Sequence, residues 1–598
     1  MMLQTLTGRR RARAAAAGLA AGALVLTACS DGGSFADRDI GQPRITASGI
    51  TIGTPAQSAG PAAPVPGARR GGTVTVLQRD ALDHLDPAQI YVSDELISQT
   101  LYNRTLTSYQ IDPATGKITL VGDLATDTGR ATDGGRTWTY TLKDGLRFED
   151  GTPITSREVR HAVERLYAPY LTEGPTYLQQ WLSGEGQEYR KALPDGPYEG
   201  RHLPPSVLDT PDDKTIVFHF NRPRAEVPLA VAMPNIGAVP PEKDTKERYD
   251  KAPVASGPYK VRNFKPGESV EFVRNDQWDP RTDPIRHQYV DRFVVSFGHQ
   301  WTDSTRRLRA DRGADKQAMT FTNAVDPTQI LTMLKDKGAM KRSLTEVQPY
   351  VDVASINTRR VTDKRVRQAI AWAYPSAQIL LQYGGLKAGE VAGGLVGPTV
   401  DGYDPSFDPF EKKKYPAGNP EKARKLLKAA GKEGYELTYA YANTGPAQDA
   451  SLVIVQALER AGFTVQKKEI DSSSYYTQIG KVDAPYDVYR SSWGADWPSA
   501  STVVPPLYDG GSVYDGSANY SHLNAPGVNK EIARIKLIGD VKQATKEWIK
   551  ESERILTEEI PAVPIFYNQL FTLSGSRIGG VKYNTVYGGV DPTAVYVE

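Results

Sequence analysis

The side chains able to do chemistry in these 598 residues are one cysteine, seven histidines and 70 acids, and their spacing decides what they can do. No Gly-x-Ser-x-Gly elbow, Ser-x-x-Lys, phosphate-cradling Gly-x-x-x-x-Gly-Lys-Ser/Thr or His-Glu-x-x-His occurs, so the common hydrolytic and phosphoryl-transfer machineries are not encoded. His84, His161, His202, His219, His287, His299 and His522 are scattered without metal-ligand spacing, and neither a resident metal nor a cofactor is expected. Asp83 with Asp86 flanks a turn, and Glu558 with Glu559 lies in a charge-rich helix, where a solvated face explains them. A binding protein with no catalytic residue is the leading expectation. Glycan hydrolysis by a carboxylate pair stays open as the enzyme alternative.

The single thiol has its own context. Cys29 closes Leu26-Thr27-Ala28-Cys29, behind Arg9, Arg10, Arg11, Arg13 and an apolar run from Ala14 to Ala28 too short and interrupted to span a bilayer as an ordinary helix. The tetrad resembles a bacterial lipobox, which implies that 1–28 is a signal peptide and that Cys29 carries lipid after cleavage. Two or three acyl chains hold a soluble body firmly, each buried methylene contributing about 0.8 kcal/mol. A plain signal peptide with an incidental cysteine is the alternative. With that thiol lipidated, none is left for a disulfide, and stability must come from core size.

Composition narrows the partners. The 72 basic and 70 acidic residues leave a net charge of +2, which gives no field to recruit nucleic acid. Apolar content of 39% and charged content of 24% are those of a soluble globular body. Tyr outnumbers Phe 31 to 14, which suggests aromatic surfaces that are half wet. Lys412-Lys413-Lys414 reads as a solvated loop.

Elements to position a site can be read along the chain. The stretch from Ser30 to Arg70 is rich in Gly, Ala, Pro and Ser without periodicity and reads as a flexible tether, with an r.m.s. reach of about 35 Å by random-coil scaling. Gly71-Gly72 and the alternation Thr73 to Leu77 open the folded body. Thr137 to Leu142, Leu146 to Phe148 and Thr215 to Phe220 read as strands. Thr155-Ser156-Arg157-Glu158 is a capping box ahead of Val159, Ala162, Val163 and Leu166 on one helical face. A helix past Asp363 carries Val366, Ala369, Ile370 and Ala373, and another runs from cap Asn419 and Pro420 to the stop Gly431. Strand 436–442, a helix around 452–461, strand 464–470 and strand 487–491 then alternate as an α/β lobe requires.

Several segments, in order, resemble the extracytoplasmic solute-binding proteins of ABC importers in the oligopeptide/dipeptide/nickel-binding family, family 5. They are Gly71 to Val76 with Leu85-Asp86-Pro87; Thr137 to Phe148 continuing through Asp150-Gly151-Thr152-Pro153-Ile154-Thr155 to Val159; and Ser256-Gly257-Pro258-Tyr259-Lys260-Val261 with Arg274-Asn275 and Trp278. Asn357 with Asp363, Val366, Arg367 and Ala369 follows, although Val361 stands where a proline is usual, and Pro561 to Tyr567 comes near the end. The resemblance implies an α/β, two-lobed, type II periplasmic-binding-protein-like fold with hinge strands and an extra domain inserted in the first lobe. On this chain that places the anchored tether at 29–70, lobe one at 71–105, 207–321 and 564–598, the inserted domain at 106–206 and lobe two at 322–563. It also implies a cleft ligand, lobe closure around it, an ABC permease with cytoplasmic ATPases as partner, and a monomer on the extracytoplasmic face of the membrane.

The site implied by the resemblance is Arg490-Ser491-Ser492-Trp493-Gly494-Ala495-Asp496. In the oligopeptide-binding branch a similar strand followed by Trp-x-Ala-Asp places a carboxylate against a peptide α-ammonium, which assigns that role to Asp496. A charge-assisted bond of this kind is worth about 1.5–3 kcal/mol. Arg490 matches a basic residue that helps receive a peptide carboxylate, for which a guanidinium fork is suited. Ser492 and Gly494 stand where main chain can pair with an extended peptide, and Trp493 and Trp497 either wall the cleft or pack beneath it. Taken without the resemblance, Asp496 before Trp497-Pro498 is a turn former and Arg490 a strand residue paired elsewhere. Oligosaccharides, nickel or other metal chelates, opines and antibiotics remain alternative ligands beside short peptides.

Overall fold

The computed structural model describes residues 50–598 other than 113, 114, 116 and 185. Cys29, the signal segment 1–28 and the beginning of the tether lie outside the described residues.

Three sheets carry the architecture. In the first lobe the order is Ala318–Met319, Thr73–Leu77, Arg292–Ser296, Ser269–Arg274 and Tyr259–Lys265. Thr73–Leu77 runs parallel to Arg292–Ser296, with Val74 and Val76 turned into the core, as the alternation predicts. The inserted domain is an antiparallel sheet of Arg130–Thr132, Thr137–Thr141, Thr215–His219 and Leu208–Asp209 with the helix Ser156–Arg165 of the same domain. That helix begins as its capping box requires: the Thr155 backbone N–H donates to Glu158 Oε2 at 2.9 Å, and Val159, Ala162 and Val163 are buried. Buried Arg165 in turn holds Asp86 of the first lobe with two bonds of 2.8 and 2.7 Å, which fixes the inserted domain against that lobe.

The second lobe is built on the order Gly389–Val391, Ala562–Leu573, Ser343–Ile356, Val488–Gly494, Glu436–Ala442 and Thr464–Ile470. Lys364–Ala373 starts on the Asp363 side chain, and Pro420–Ala430 starts on Asn419 and ends at Gly431 with φ of 64°. Two long antiparallel strands, Ser343–Ile356 and Ala562–Leu573, join the lobes. Their register breaks between Val347 and Val351, around Pro349, which has no N–H to give a ladder. On one side of the break Phe571 and Leu573 pack with Leu77 and Leu308; on the other Val563 and Ile565 pack with Val353 and Ile370.

Several expectations are corrected. The inserted domain does not end at 206, because Thr215–His219 pairs along its whole length with Thr137–Thr141. Ile565, Phe566 and Tyr567 belong to the second-lobe core, so the return to the first lobe comes after them rather than at 564. Leu146 to Phe148 is no strand: the Asp150-Gly151 turn brings Phe148 N–H straight back to the Thr152 carbonyl at 2.9 Å, which leaves a single bridge between Arg147 and Pro153. The helix expected around 452–461 begins at Gly445, with Pro446 in its first turn. Residues 50–70 are laid on the first lobe, to which Ile118–Gly122 also belongs: Ile118 and Leu120 pack in one core with Val74 and Val76, so the inserted domain does not start at 106. Thr51–Ile52 pairs with Thr119 and Leu120, Thr54 and Gln57 form a capping box, and Gly60 lies where a Cβ would stand 2.6 Å from the Arg281 carbonyl. Lys412 is buried, donating to the carbonyls of Ala371 and Tyr374 at 2.5 and 2.9 Å, so it closes the C-terminal end of Lys364–Ala373. Only Lys413 and Lys414 are solvated.

Candidate functional site

Val488–Gly494 pairs with Ser343–Ile356 along its full length, but with Glu436–Ala442 only at Val488 and Tyr489. Past Tyr489 one edge of this strand has no neighbouring strand among the described residues. The Tyr475 hydroxyl donates to the Arg490 carbonyl on that edge at 2.8 Å, and strand alternation directs the main-chain groups of Ser492 and Gly494 to the same side. Gly494 is required there, since a Cβ would lie 2.7 Å from the Tyr350 ring, whose hydroxyl meets Ser93 Oγ across the lobes at 2.7 Å.

After Gly494 the chain turns. Asp496 N–H donates to Thr502 Oγ1 at 3.2 Å and Trp493 Nε1 to the Thr502 carbonyl at 2.8 Å, which locks the turn to the strand end. The Asp496 carboxylate is met from the other side of the cleft. Tyr91, just before the first-lobe helix Ser93–Gln99, and Tyr177, first residue of the inserted-domain helix Tyr177–Ser183, both donate to Oδ2, at 3.2 and 2.5 Å. Among the described residues no Lys, Arg or His forms an ion pair with Asp496. Burial pushes its pKa up to about 7, against the two phenols that hold it down. The arrangement is an anionic group that is desolvated and lacks a cation.

Arg490 is occupied differently. Its guanidinium forms an ion pair with Asp352 on the neighbouring strand and lies over the Tyr383 ring, 4.7 Å from its centre. Asp352 takes a further bond of 2.6 Å from Asn568. Burial opposes the Arg490 charge most strongly of any one effect, but Asp352 together with Tyr383, Tyr476 and Tyr475 outweighs it and the pKa is raised. Its charge is therefore balanced within the chain.

Two cavities adjoin the strand end. One of about 160 Å³ is lined by Ser492, Trp493, Gly494 and Asp496 with Tyr91 and Tyr350. A larger one of about 840 Å³ runs past Trp493, Tyr177, Trp181 and Glu226. Arg490 lines neither. Trp497 borders the larger cavity but is 0% exposed, packed 4.7 Å from the Tyr177 ring and 6.3 Å from Trp181, so it serves chiefly to seat the turn. The same turn is held by Glu226, which accepts from Ser499 and Ser501 at 2.6 Å each.

Sequence reasoning therefore missed Tyr91, Tyr177, Tyr350 and Glu226. Tyr91 and Tyr177 lie 405 and 319 positions from Asp496, and no spacing rule connects them. The only advance sign was the excess of tyrosine, the aromatic residue that can border a cavity and still donate a hydrogen bond.

Comparison with known proteins agrees with this geometry. The family model described as bacterial extracellular solute-binding proteins, family 5 middle, matches residues 119–515, about two thirds of the chain. The probable D,D-dipeptide-binding periplasmic protein DdpA of Escherichia coli is 22% identical over 520 residues, covering 84% of this chain and 89% of the relative. The oligopeptide-binding protein OppA of Bacillus subtilis is 22% identical over 496 residues, covering 80% and 83%. Among solved structures, the clavulanic acid biosynthesis oligopeptide binding protein 2 superposes with a TM-score of 0.81 at 28% identity, covering 93% of this chain and all of the other. The matched family and these relatives are described as binding proteins. No helix among the described residues is long and apolar enough to cross a membrane. With two lobes, crossing strands and a cleft between them, the chain belongs to the bacterial extracellular solute-binding proteins of family 5.

Proposed function

We propose that this protein captures short peptides outside the cytoplasm, held by lipid on Cys29, and presents them to an ABC permease driven by cytoplasmic ATPases. The observation that carries the reading is Asp496, a carboxylate that among the described residues has no cationic partner, at the mouth of a strand with an edge that no described strand covers. A peptide α-ammonium supplies the missing charge. The peptide main chain, extended beside Ser492 and Gly494, adds a strand to the open edge, which reads backbone and leaves side chains to the cavities. Tyr91 and Tyr177 come from the opposite wall, so the ion pair forms where the lobes meet and favours the closed arrangement.

Titration calorimetry with tri- to pentapeptides tests this. Asp496→Asn is expected to weaken binding at least about tenfold, the lower end of what a buried charge-assisted bond contributes. N-acetylation of the peptide should cost the wild type as much and the variant little. Equal affinity of wild type and variant removes the anchor.

A further inference from the structure

The smaller cavity beside Asp496 has a first-lobe wall of one chemical character. Asn584 Oδ1 accepts the backbone N–H groups of Val586 and Tyr587 at 3.1 and 2.9 Å, a turn that sets both residues into the first lobe. Val586, Tyr587, Met233 and Leu96 of the helix Ser93–Gln99 belong to one buried core, and they line the cavity that Asp496 and the end of Val488–Gly494 close from the second lobe. The polar ends around this space are engaged elsewhere: the Tyr587 hydroxyl donates to the Ala232 carbonyl at 3.2 Å, and the Tyr350 hydroxyl meets Ser93 Oγ. Among the described residues Asp496 is the only charged side chain on its lining.

We infer that Leu96, Met233, Val586 and Tyr587 form a specificity pocket for the side chain of the peptide's first residue, and that the pocket selects an uncharged aliphatic group of Val to Leu or Met size. This rests on the peptide reading above, which sets the α-ammonium on Asp496 and so brings the first side chain within reach of this cavity. An apolar cavity of about 150 Å³ admits a benzene-sized group. Here about 160 Å³ must also take the ammonium and its Cα, which leaves room for a branched aliphatic group but not for an indole. A first Gly leaves the apolar wall uncovered, whereas a first Leu covers it and leaves water itself. A Lys or Arg side chain finds the one anion already taken by the ammonium, and a Glu side chain meets Asp496 with no cation to balance it. The wall comes from the first lobe and the strand end from the second, so a side chain that fills the space touches both only while the lobes are together. Later residues face the larger cavity, whose lining includes Glu226, Asp509 and Lys536 and makes no such apolar demand.

The experiment is calorimetry on wild type and Val586→Phe with the tripeptides Leu-Ala-Ala, Gly-Ala-Ala, Lys-Ala-Ala and Glu-Ala-Ala, with Ala-Leu-Ala to control for position and N-acetyl-Leu-Ala-Ala to report the amine anchor. Expected in wild type is a preference for Leu-Ala-Ala of at least about tenfold over the Gly, Lys and Glu peptides and about fivefold over Ala-Leu-Ala. Val586→Phe puts a ring into the space and should bring the ratio of Leu-Ala-Ala to Gly-Ala-Ala toward unity, while the N-acetyl penalty remains. Equal binding across the first-residue series, an equal affinity for Ala-Leu-Ala, or a preference that Val586→Phe leaves unchanged overturns the pocket, and an intact N-acetyl penalty then preserves the amine anchor. If no peptide binds, both fall. Should Val586→Phe fail to fold, Leu96→Ala decides: it enlarges the space and should move the preference to Phe-Ala-Ala or Trp-Ala-Ala, and an unchanged order overturns the pocket.

Discussion

Peptide affinity should depend on pH through Asp496, and the size of the effect follows from its surroundings. In the ligand-free protein its pKa is pushed up to about 7, and a bound ammonium returns it toward the ordinary carboxylate range. Binding therefore releases the proton that Asp496 carries below pH 7. Affinity is full just above pH 7 and falls about tenfold for each pH unit below it. At pH 5 the loss is about a hundredfold, equivalent to about 2.7 kcal/mol. The window closes near pH 8, where the peptide amine itself loses its proton. Glu95, pushed by burial up to about 7 and accepting the Tyr91 backbone N–H at 3.4 Å, titrates in the same range. Asp496→Asn separates the two: calorimetry from pH 5 to 7.5 should show the slope in wild type and only a Glu95 remainder in the variant. Stability runs the other way. Because the folded pKa of Asp496 lies above its unfolded value, the ligand-free protein carries the full stabilising effect of this group below about pH 4 and loses it as pH rises through 7. An affinity flat between pH 5 and 7.5, or a slope unchanged in Asp496→Asn, refutes the reasoning.

Other expectations follow from the same framework. Asp86→Asn removes one of the two carboxylates that hold buried Arg165, with Asp244 still 3.3 Å away, and should cost about 1–3 kcal/mol in chemical denaturation; an unchanged stability contradicts that. Gly494→Ala places a methyl against the Tyr350 ring and should cost about 1–3 kcal/mol and weaken peptide binding, measured by melting and calorimetry; unchanged values contradict the close approach. Cys29→Ala should release the protein from the membrane fraction into the medium, and continued membrane association argues against lipidation.

What could be read in the sequence is what local physics encodes. Thr155 with Glu158 and Asn419 with Gly431 mark helix ends because cap and partner are a few residues apart. Strand Thr73–Leu77 announces itself by alternation. The Asp496 segment was legible through its resemblance to a family, but its surroundings were not. Asp352 neutralises Arg490 only because two antiparallel strands bring positions 352 and 490 together. Lys412 looked like part of a solvated basic run until helix carbonyls 371 and 374 were placed beside its amine. Residues 50–70 looked like tether because small residues carry no periodicity, yet their smallness is what lets Gly60 lie against the first-lobe backbone.

The central claim is that Asp496 binds a cationic amino end while an extended backbone pairs with the free edge of Val488–Gly494. A crystal structure of the protein soaked with or grown in a tripeptide tests it most directly. The account predicts the peptide nitrogen within 3.2 Å, roughly hydrogen-bond reach, of an Asp496 oxygen, and peptide main chain bonded to Ser492 or Gly494. A peptide seated elsewhere, or a cleft whose Asp496 meets water while another solute fills the cavity, contradicts it.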